Sequence, residues 1–265
     1  MRVPRLFVTS PLASGQSGHF DADQSRQLRS VLRLGSGAQI VVFDGSGAEA
    51  RATIATLDRT GGTFDIGHLD YPQREPPIDL AVGLALLRGE RFEIAVQKLT
   101  EIGVRRLVPL SADRSMVSFA DAREWAKRAN RLERIMREAA EQSERVTLMT
   151  LDQPMRLGEL LENEPQAIAC IERADAVQLH DLPTERHMTI IIGPEGGWSE
   201  AELTAFREHR VRAASLGTLI LRAETAAIVA AGTIVQSTWV NQRMTETPSR
   251  TGTGRHKPGG RRPHP

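Results

Sequence analysis

The sequence predicts an α/β protein in two parts, a small β-domain over residues 1–72 and a larger domain over 73–245 built on a parallel sheet. Three observations predict it. Short apolar runs separated by glycine-rich turns fill the first part. The stretch Tyr71-Pro72-Gln73-Arg74-Glu75-Pro76-Pro77 then interrupts the pattern. Beyond it, strand-like runs alternate with helical ones, which is the order that parallel sheets require.

In the first part, strands are expected at 5–9, 39–43, 50–57 and 62–66. Turn chemistry separates them at Gly35-Ser36-Gly37, Asp44-Gly45-Ser46-Gly47 and Arg59-Thr60-Gly61-Gly62. A short helix is expected over 21–34, with Leu28, Val31 and Leu32 on one face. A domain of this size suits a small β-barrel or binding module. Consecutive prolines resist both helix and central strand, so residues 71–77 read as a linker.

In the second part, strands are expected at 79–87, 106–110, 147–151, 167–171, 188–192 and 213–216. A helix over 91–102 places Phe92, Ala95, Val96, Leu99 and Ile102 together, and Gly103 follows as its C-terminal cap. A helix over 121–143 aligns Trp125, Leu132, Ile135, Met136, Ala139 and Ala140. Ser199-Glu200-Ala201-Glu202 is a capping box opening a helix to about residue 210. Residues 223–240 form a long apolar helix whose Ala226, Ala227, Ala230, Ala231 and Gly232 permit close backbone approach.

Composition narrows the class. The chain has 265 residues, 40% hydrophobic and 25% charged, which excludes disordered, collagenous and disulfide-scaffold proteins. The formal net charge is only +1, so a nucleic-acid partner must be argued from local patches. Aromatic residues make up 4%, too few for a sheet of base-stacking rings. Cys170 is the single cysteine, and no disulfide within the chain can form. No apolar run is long enough to span a membrane, and the N-terminus lacks the apolar core of a signal peptide. A cytoplasmic protein is expected. The final stretch, residues 246–265, carries Arg250, Arg255, Lys257, Arg261 and Arg262 against Glu246 and nothing apolar able to join a core. It reads as a disordered basic tail, either merely solvated or a non-specific RNA tether.

Two glycine-bearing turns carry the chemistry, and they are expected at neighbouring strand ends. The first is Gly193-Pro194-Glu195-Gly196-Gly197, between a buried strand and the capped helix. Ligands in open α/β sheets bind beyond the carboxyl ends of strands, and glycines let backbone N–H groups reach them. The turn matches neither a dinucleotide fingerprint nor a P-loop. Glu195 would repel phosphate and favour a cation. The second turn is Leu216-Gly217-Thr218-Leu219-Ile220-Leu221-Arg222-Ala223-Glu224, leading into the long helix. An arginine is disfavoured at a helix N-terminus, so Arg222 invites an anionic ligand. Taken alone, either segment also suits a plain connection with a surface ion pair. On the helix over 91–102, Lys98 and Glu101 are spaced to pair. Zinc-ligand spacings and a nucleophile elbow are absent, so neither metal nor Cys/His catalysis is expected.

These residues resemble a known family. Gly193-Pro-Glu-Gly-Gly197 and Leu216-Gly217 with Ile220-Leu221-Arg222-Ala223-Glu224-Thr225 are similar to the signature loops of the ribosomal RNA small subunit methyltransferase E family. Met1-Arg-Val-Pro-Arg5, Val31-Leu-Arg33, Phe43-Asp-Gly45, Arg88-Gly-Glu-Arg91, Gln97-Lys98, Glu101-Ile-Gly-Val104 and Ala139-Ala-Glu-Gln142 agree, in order, over about residues 1–240. The resemblance implies a SPOUT-class enzyme that methylates N3 of a 16S rRNA uridine from S-adenosylmethionine. It implies a PUA-like β-barrel, a SPOUT α/β domain with a trefoil knot, and a homodimer acting on the small ribosomal subunit. By this likeness Ile192, Gly193, Gly197, Leu216, Gly217, Ile220, Leu221 and Arg222 line the cofactor pocket; by its charge beside the first turn, Glu195 is expected to join them as a group that senses the cofactor's positive charge. Three departures stand out. Ala223 replaces a usual threonine, Gln27 a usual histidine, and Ser143-Glu144-Arg145-Val146 follows where the family tends to Gly-Arg and a proline.

Uridine N3 must lose a proton, at a cost near pH 7 of roughly 3 kcal/mol. A carboxylate can take it and a cation can stabilise the resulting charge. Arg222 is expected to supply that stabilisation, and Glu224 to accept the proton or orient Arg222. Arg2, Arg5, Arg33, Arg88, Arg91 and Lys98 are candidate RNA contacts. Two other readings share the fold: a non-catalytic RNA-binding assembly factor and a SPOUT transfer-RNA ribose methyltransferase.

Overall fold

A computed structural model describes residues 3–117, 122–172 and 176–246. The N-terminal part contains β1 (Arg5–Phe7), β2 (Ser17–Phe20), α1 (Ala22–Arg26), a π-helical turn (Gln27–Val31), β3 (Gln39–Phe43), β4 (Glu49–Leu57) and β5 (Gly62–Asp70). Alternation of side chains drives its burial. Ile40 and Val42 of β3, Ala50, Ala52 and Ile54 of β4, and Phe64 and Ile66 of β5 all point into one core with Leu6 and Phe20. The five strands make one sheet in the order β1-β3-β4-β5-β2, and its outer strands share no ladder among the described residues.

The helix expected over 21–34 is corrected. It is five residues of α-helix, capped by Asp21 and Gln24, followed by the π turn in which the Leu32 N–H donates to Gln27 O. The wider turn breaks the three- and four-residue spacing. Leu28 therefore enters the core, while Val31 is 73% exposed and Leu32 also faces outward.

The second part runs β6 (Asp79–Ala85), α2 (Glu90–Ile102), β7 (Arg106–Ser111), α3 (Ala122–Ser143), β8 (Thr150–Leu151), β9 (Met155–Arg156), α4 (Leu157–Asn163), β10 (Ile168–Cys170), β11 (Val177–Gln178), a 3-10 turn (Leu179–Asp181), β12 (His187–Ile192), α5 (Glu200–Glu208), β13 (Arg212–Ser215) and α6 (Ala223–Glu246). Its pairings are all parallel, in the order β11-β13-β10-β12-β6-β7-β8, with β9 also on β7. Helices cover both faces. Leu80, Val82 and Leu84 of β6 pack with α2, α3 and α6, whereas Ala85, Val108, Leu110 and Ile191 pack with α4 and α5. Gly103 ends α2 at φ 103°, a backbone that favours glycine. Helix α6 extends to Glu246, past the expected end at 240. Of the basic tail expected over 246–265, Glu246 ends α6 and residues 247–265 lie outside the described residues, as do Asp121, Met1 and Arg2.

Charged side chains pin the segment between the two parts. Arg145 is 4% exposed and donates to Glu75 (3.0 Å), Thr100 O and Val104 O (both 2.9 Å). Glu75 also accepts the N–H groups of Val146 and Thr147. Arg74 pairs with Glu49 at 2.9 Å. The expected linker is therefore irregular in backbone but pinned by its charged side chains. Arg5 belongs to the same junction, pairing with Glu49 at 2.6 Å and donating to Arg145 O, with 7% of its side chain exposed. Its expected role as an RNA contact is corrected, because its guanidinium is committed inside the protein. Glu144 adopts φ 63°, a left-handed backbone that favours glycine.

Glu141 on α3 accepts the Phe7 N–H at 2.9 Å across this junction. Burial pushes its carboxyl up to about 7, aided by Glu138 and opposed by that N–H and by Arg5 and Arg137. Between the ordinary value of 4.5 and about 7, the folded protein holds a proton that the unfolded chain has lost. This stabilisation is complete below that window and is lost as pH rises through it. Wild type is expected to lose up to about 3 kcal/mol across the window relative to Glu141→Gln. Urea denaturation of both proteins from pH 4.5 to 8 checks this; parallel pH profiles would contradict it.

Candidate active site

Because the strands run parallel, β6, β7, β10, β12 and β13 all end on one edge of the sheet. Both glycine turns leave from that edge. The expectation that their strands are neighbours is corrected: β10 lies between β12 and β13. At about 4.8 Å per strand, the two strands stand about 10 Å apart, a gap a small molecule can bridge.

Each glycine of the first turn has its own reason. A Cβ on Gly193 would lie 2.8 Å from the Trp198 ring, which packs edge-on against Phe206. A Cβ on Gly196 would lie 3.1 Å from Arg114 Cβ. Gly197 has φ 70° and open space beside it. Its N–H closes the turn on Pro194 O at 2.9 Å. Beyond the turn, Ser199 caps α5 by accepting the Glu202 N–H. Arg91, at the start of α2, forms an ion pair with Glu195. An expected RNA contact and an expected cofactor contact therefore meet.

In the second turn, the Ser215 hydroxyl accepts the Gly217 N–H and donates to Gly217 O, both at 3.2 Å. Gly217 has φ 113° and again faces open space. Leu219 is 80% exposed and Ile220 54%. Leu221 is half-buried, Ile192 buried and Arg222 exposed. Glu224 is buried, and its Oε2 has no hydrogen-bond partner among the described residues. No ion pair joins Arg222 to Glu224 there, so the expectation that Glu224 orients Arg222 is corrected. The N–H groups of Glu195, Gly196, Leu219 and Ile220 donate to no protein group among the described residues.

The remaining candidates are spread over the surface. Arg33 is exposed at φ 55° after the π turn. Arg88 is exposed beside α2, and Lys98 pairs with Glu101 at 2.9 Å as the spacing predicts. Arg2 lies outside the described residues. Burial pushes the Cys170 thiol up to about 12, so it is no nucleophile at neutral pH. Among the described residues no group of three metal-ligating side chains occurs, and no helix is long and apolar enough to cross a membrane.

Sequence reasoning missed Asp113 and Arg114, which follow β7; Arg114 touches the first turn at Gly196 and Asp113 touches Ser199 just beyond it. Their only signal was two charged residues beyond a strand's carboxyl end.

The parallel α/β domain with its glycine-lined edge, and the β-domain before it, match RNA methyltransferase families. The RNA methyltransferase domain family matches residues 74–235 and its PUA domain family matches 20–66. The ribosomal RNA small subunit methyltransferase E of Synechocystis is 32% identical over 217 residues, covering 78% of this chain and 69% of its own. A putative methyltransferase from Legionella pneumophila, solved in complex with bound S-adenosylmethionine, superposes with TM-score 0.83 at 29% identity, covering 89% of this chain and 98% of its own. The ribosomal RNA small subunit methyltransferase E of Neisseria gonorrhoeae, also bound to S-adenosylmethionine, gives 0.80 at 29% identity over 89% of this chain and 98% of its own. The chain belongs to the ribosomal RNA small subunit methyltransferase E family.

Proposed function

We propose that the protein methylates N3 of a uridine in 16S ribosomal RNA, using S-adenosylmethionine. The observation that carries this reading is the pair of glycine turns with free N–H groups on one sheet edge, beside the buried, unpartnered carboxylate of Glu224. The residues fit such a cofactor. Open space lies beside Gly197 and Gly217, where any side chain would intrude. Ile192, Gly193, Glu195, Gly197, Leu216, Gly217, Ile220, Leu221 and Arg222 would hold it. When bound, it supplies an electrophilic methyl group.

The chain's own residues do the rest. Glu224 accepts the N3 proton, a task suited to a carboxylate held away from water with a free oxygen. Arg222, with no side-chain partner among the described residues, stabilises the negative charge that spreads over the uracil oxygens. Arg33, Arg88, Arg91 and Lys98 contact the RNA backbone, and Arg91 first parts from Glu195.

The finer architecture belongs to the same reading. The N-terminal sheet curls into a PUA-like barrel with an open seam between β1 and β2. The segment after β13 forms a trefoil knot, supported by the way α6 packs back on α2, β6 and β12. Two copies associate through Leu219, Ile220 and the exposed Val229 and Val240, which share a face of α6. The protein works in the cytoplasm, where ribosomes are assembled, and without a metal.

Calorimetry with S-adenosylmethionine and mapping of N3-methyluridine in 16S rRNA after gene deletion test the function. A cofactor site of micromolar affinity and loss of one methylated uridine are expected. Absence of cofactor binding would favour a non-catalytic assembly factor.

A further inference from the structure

We infer that Asp113 and Arg114 are positioning residues, forming a strap that holds the first glycine turn in its cofactor-binding shape. The inference rests on the proposed role of that turn.

The strap is anchored at three points. The Ser199 hydroxyl donates to Asp113 Oδ2 at 2.6 Å. The Asp113 N–H donates to Glu202 Oε1 at 3.0 Å. The Arg114 guanidinium donates to Gly196 O at 3.2 Å. Glu202 is only 6% exposed, and its other oxygen accepts the Ser199 N–H at 2.8 Å. One carboxylate therefore caps α5 and ties it to the segment after β7. This is more than a helix cap needs, since the cap is already complete within residues 199–202.

Close approach makes the contact directional. The Gly196 Cα packs so near Arg114 that an added Cβ would lie 3.1 Å from Arg114 Cβ and 3.3 Å from its carbonyl oxygen. With the Gly196 carbonyl drawn toward Arg114 and the Gly197 N–H drawn to Pro194 O, the peptide between them has one orientation. The preceding N–H groups, of Glu195 and Gly196, are left without protein acceptors among the described residues. A turn with three glycines has wide conformational freedom, so binding by a loose turn would carry the entropic cost of ordering it. The strap removes that freedom before the ligand arrives. It touches the backbone of the turn and no expected catalytic group, so it acts on affinity rather than on the chemical step.

The test uses the full chain. Arg114→Ala and Asp113→Ala are each expected to raise the calorimetric Kd for S-adenosylmethionine, and its KM, about tenfold. At saturating cofactor, kcat should stay within twofold of wild type. Asp113→Asn keeps an oxygen for the Ser199 hydroxyl and should restore most of the affinity. Thermal midpoints show whether each variant is folded, and a lost affinity with an unchanged midpoint supports the strap. Wild-type Kd and KM in both alanine variants overturn the strap alone. A parallel fall of kcat with unchanged KM also overturns it. Failure of the wild-type chain itself to bind the cofactor overturns the reading of the turn, and the strap with it.

Discussion

Replacing Glu75 with glutamine is expected to destabilise the protein by about 3–5 kcal/mol at neutral pH, because it strands the buried charge of Arg145. For a chain of this size that lowers the thermal midpoint by roughly 10 °C. Glu75 keeps 19% of its side chain exposed and Arg145 5%, so water can rehydrate neither group fully. Burial alone would raise the Glu75 carboxyl, but the charge and hydrogen bonds of Arg145 and the N–H groups of Val146 and Thr147 outweigh it and hold it below its ordinary value. The stabilisation is therefore present at neutral pH and is lost as pH falls through that depressed value. Denaturant midpoints of wild type and variant should differ at pH 7 and converge in acid. The double variant Glu75→Gln/Arg145→Met should be no less stable than the single one, since it removes the stranded charge. A loss under about 1 kcal/mol at pH 7 would show that Thr100 O and Val104 O suffice for Arg145.

At saturating cofactor, which offsets any loss of its contact in the cofactor pocket, Arg222→Ala should slow single-turnover methylation about 100-fold, since its catalytic task arises as charge develops on the base. Glu224→Gln should slow it by a similar factor of about 100. The two differ in their response to pH. Raising the pH deprotonates the uridine without help, so the Glu224→Gln defect should shrink in alkali while the Arg222→Ala defect persists. Single-turnover rates from pH 6 to about 9 separate the two roles. Wild-type rates in both variants would remove them from the catalytic machinery.

Much of this architecture is written in short-range patterns. The alternation in β3 to β5, the apolar face of α2 ending at Gly103 and the capping box at Ser199 all operate within a few residues, and they appear where they were expected. The two glycine turns were legible as well, as glycine-bearing connections that leave the carboxyl ends of strands. Local spacing misled over residues 27–32, where one wider turn exposed Val31. It misled at Arg5 too. An arginine near a chain's start looks free, but this one meets Glu49, a partner 44 residues away.

The sequence by itself determined the class of fold, the order of its longer elements and the two glycine turns at strand ends, though not the short β2, β9, α4 and β11, because the longer elements follow from backbone propensity and periodicity along the chain. Only the tertiary structure decided that β10 separates the two turns, that Arg145 and Glu75 pin the segment between the domains, and that Arg114 meets Gly196 and Asp113 meets Ser199. Those contacts link residues 70 to 86 positions apart. Their existence depends on strand order and on burial of charge, which no local window of sequence contains.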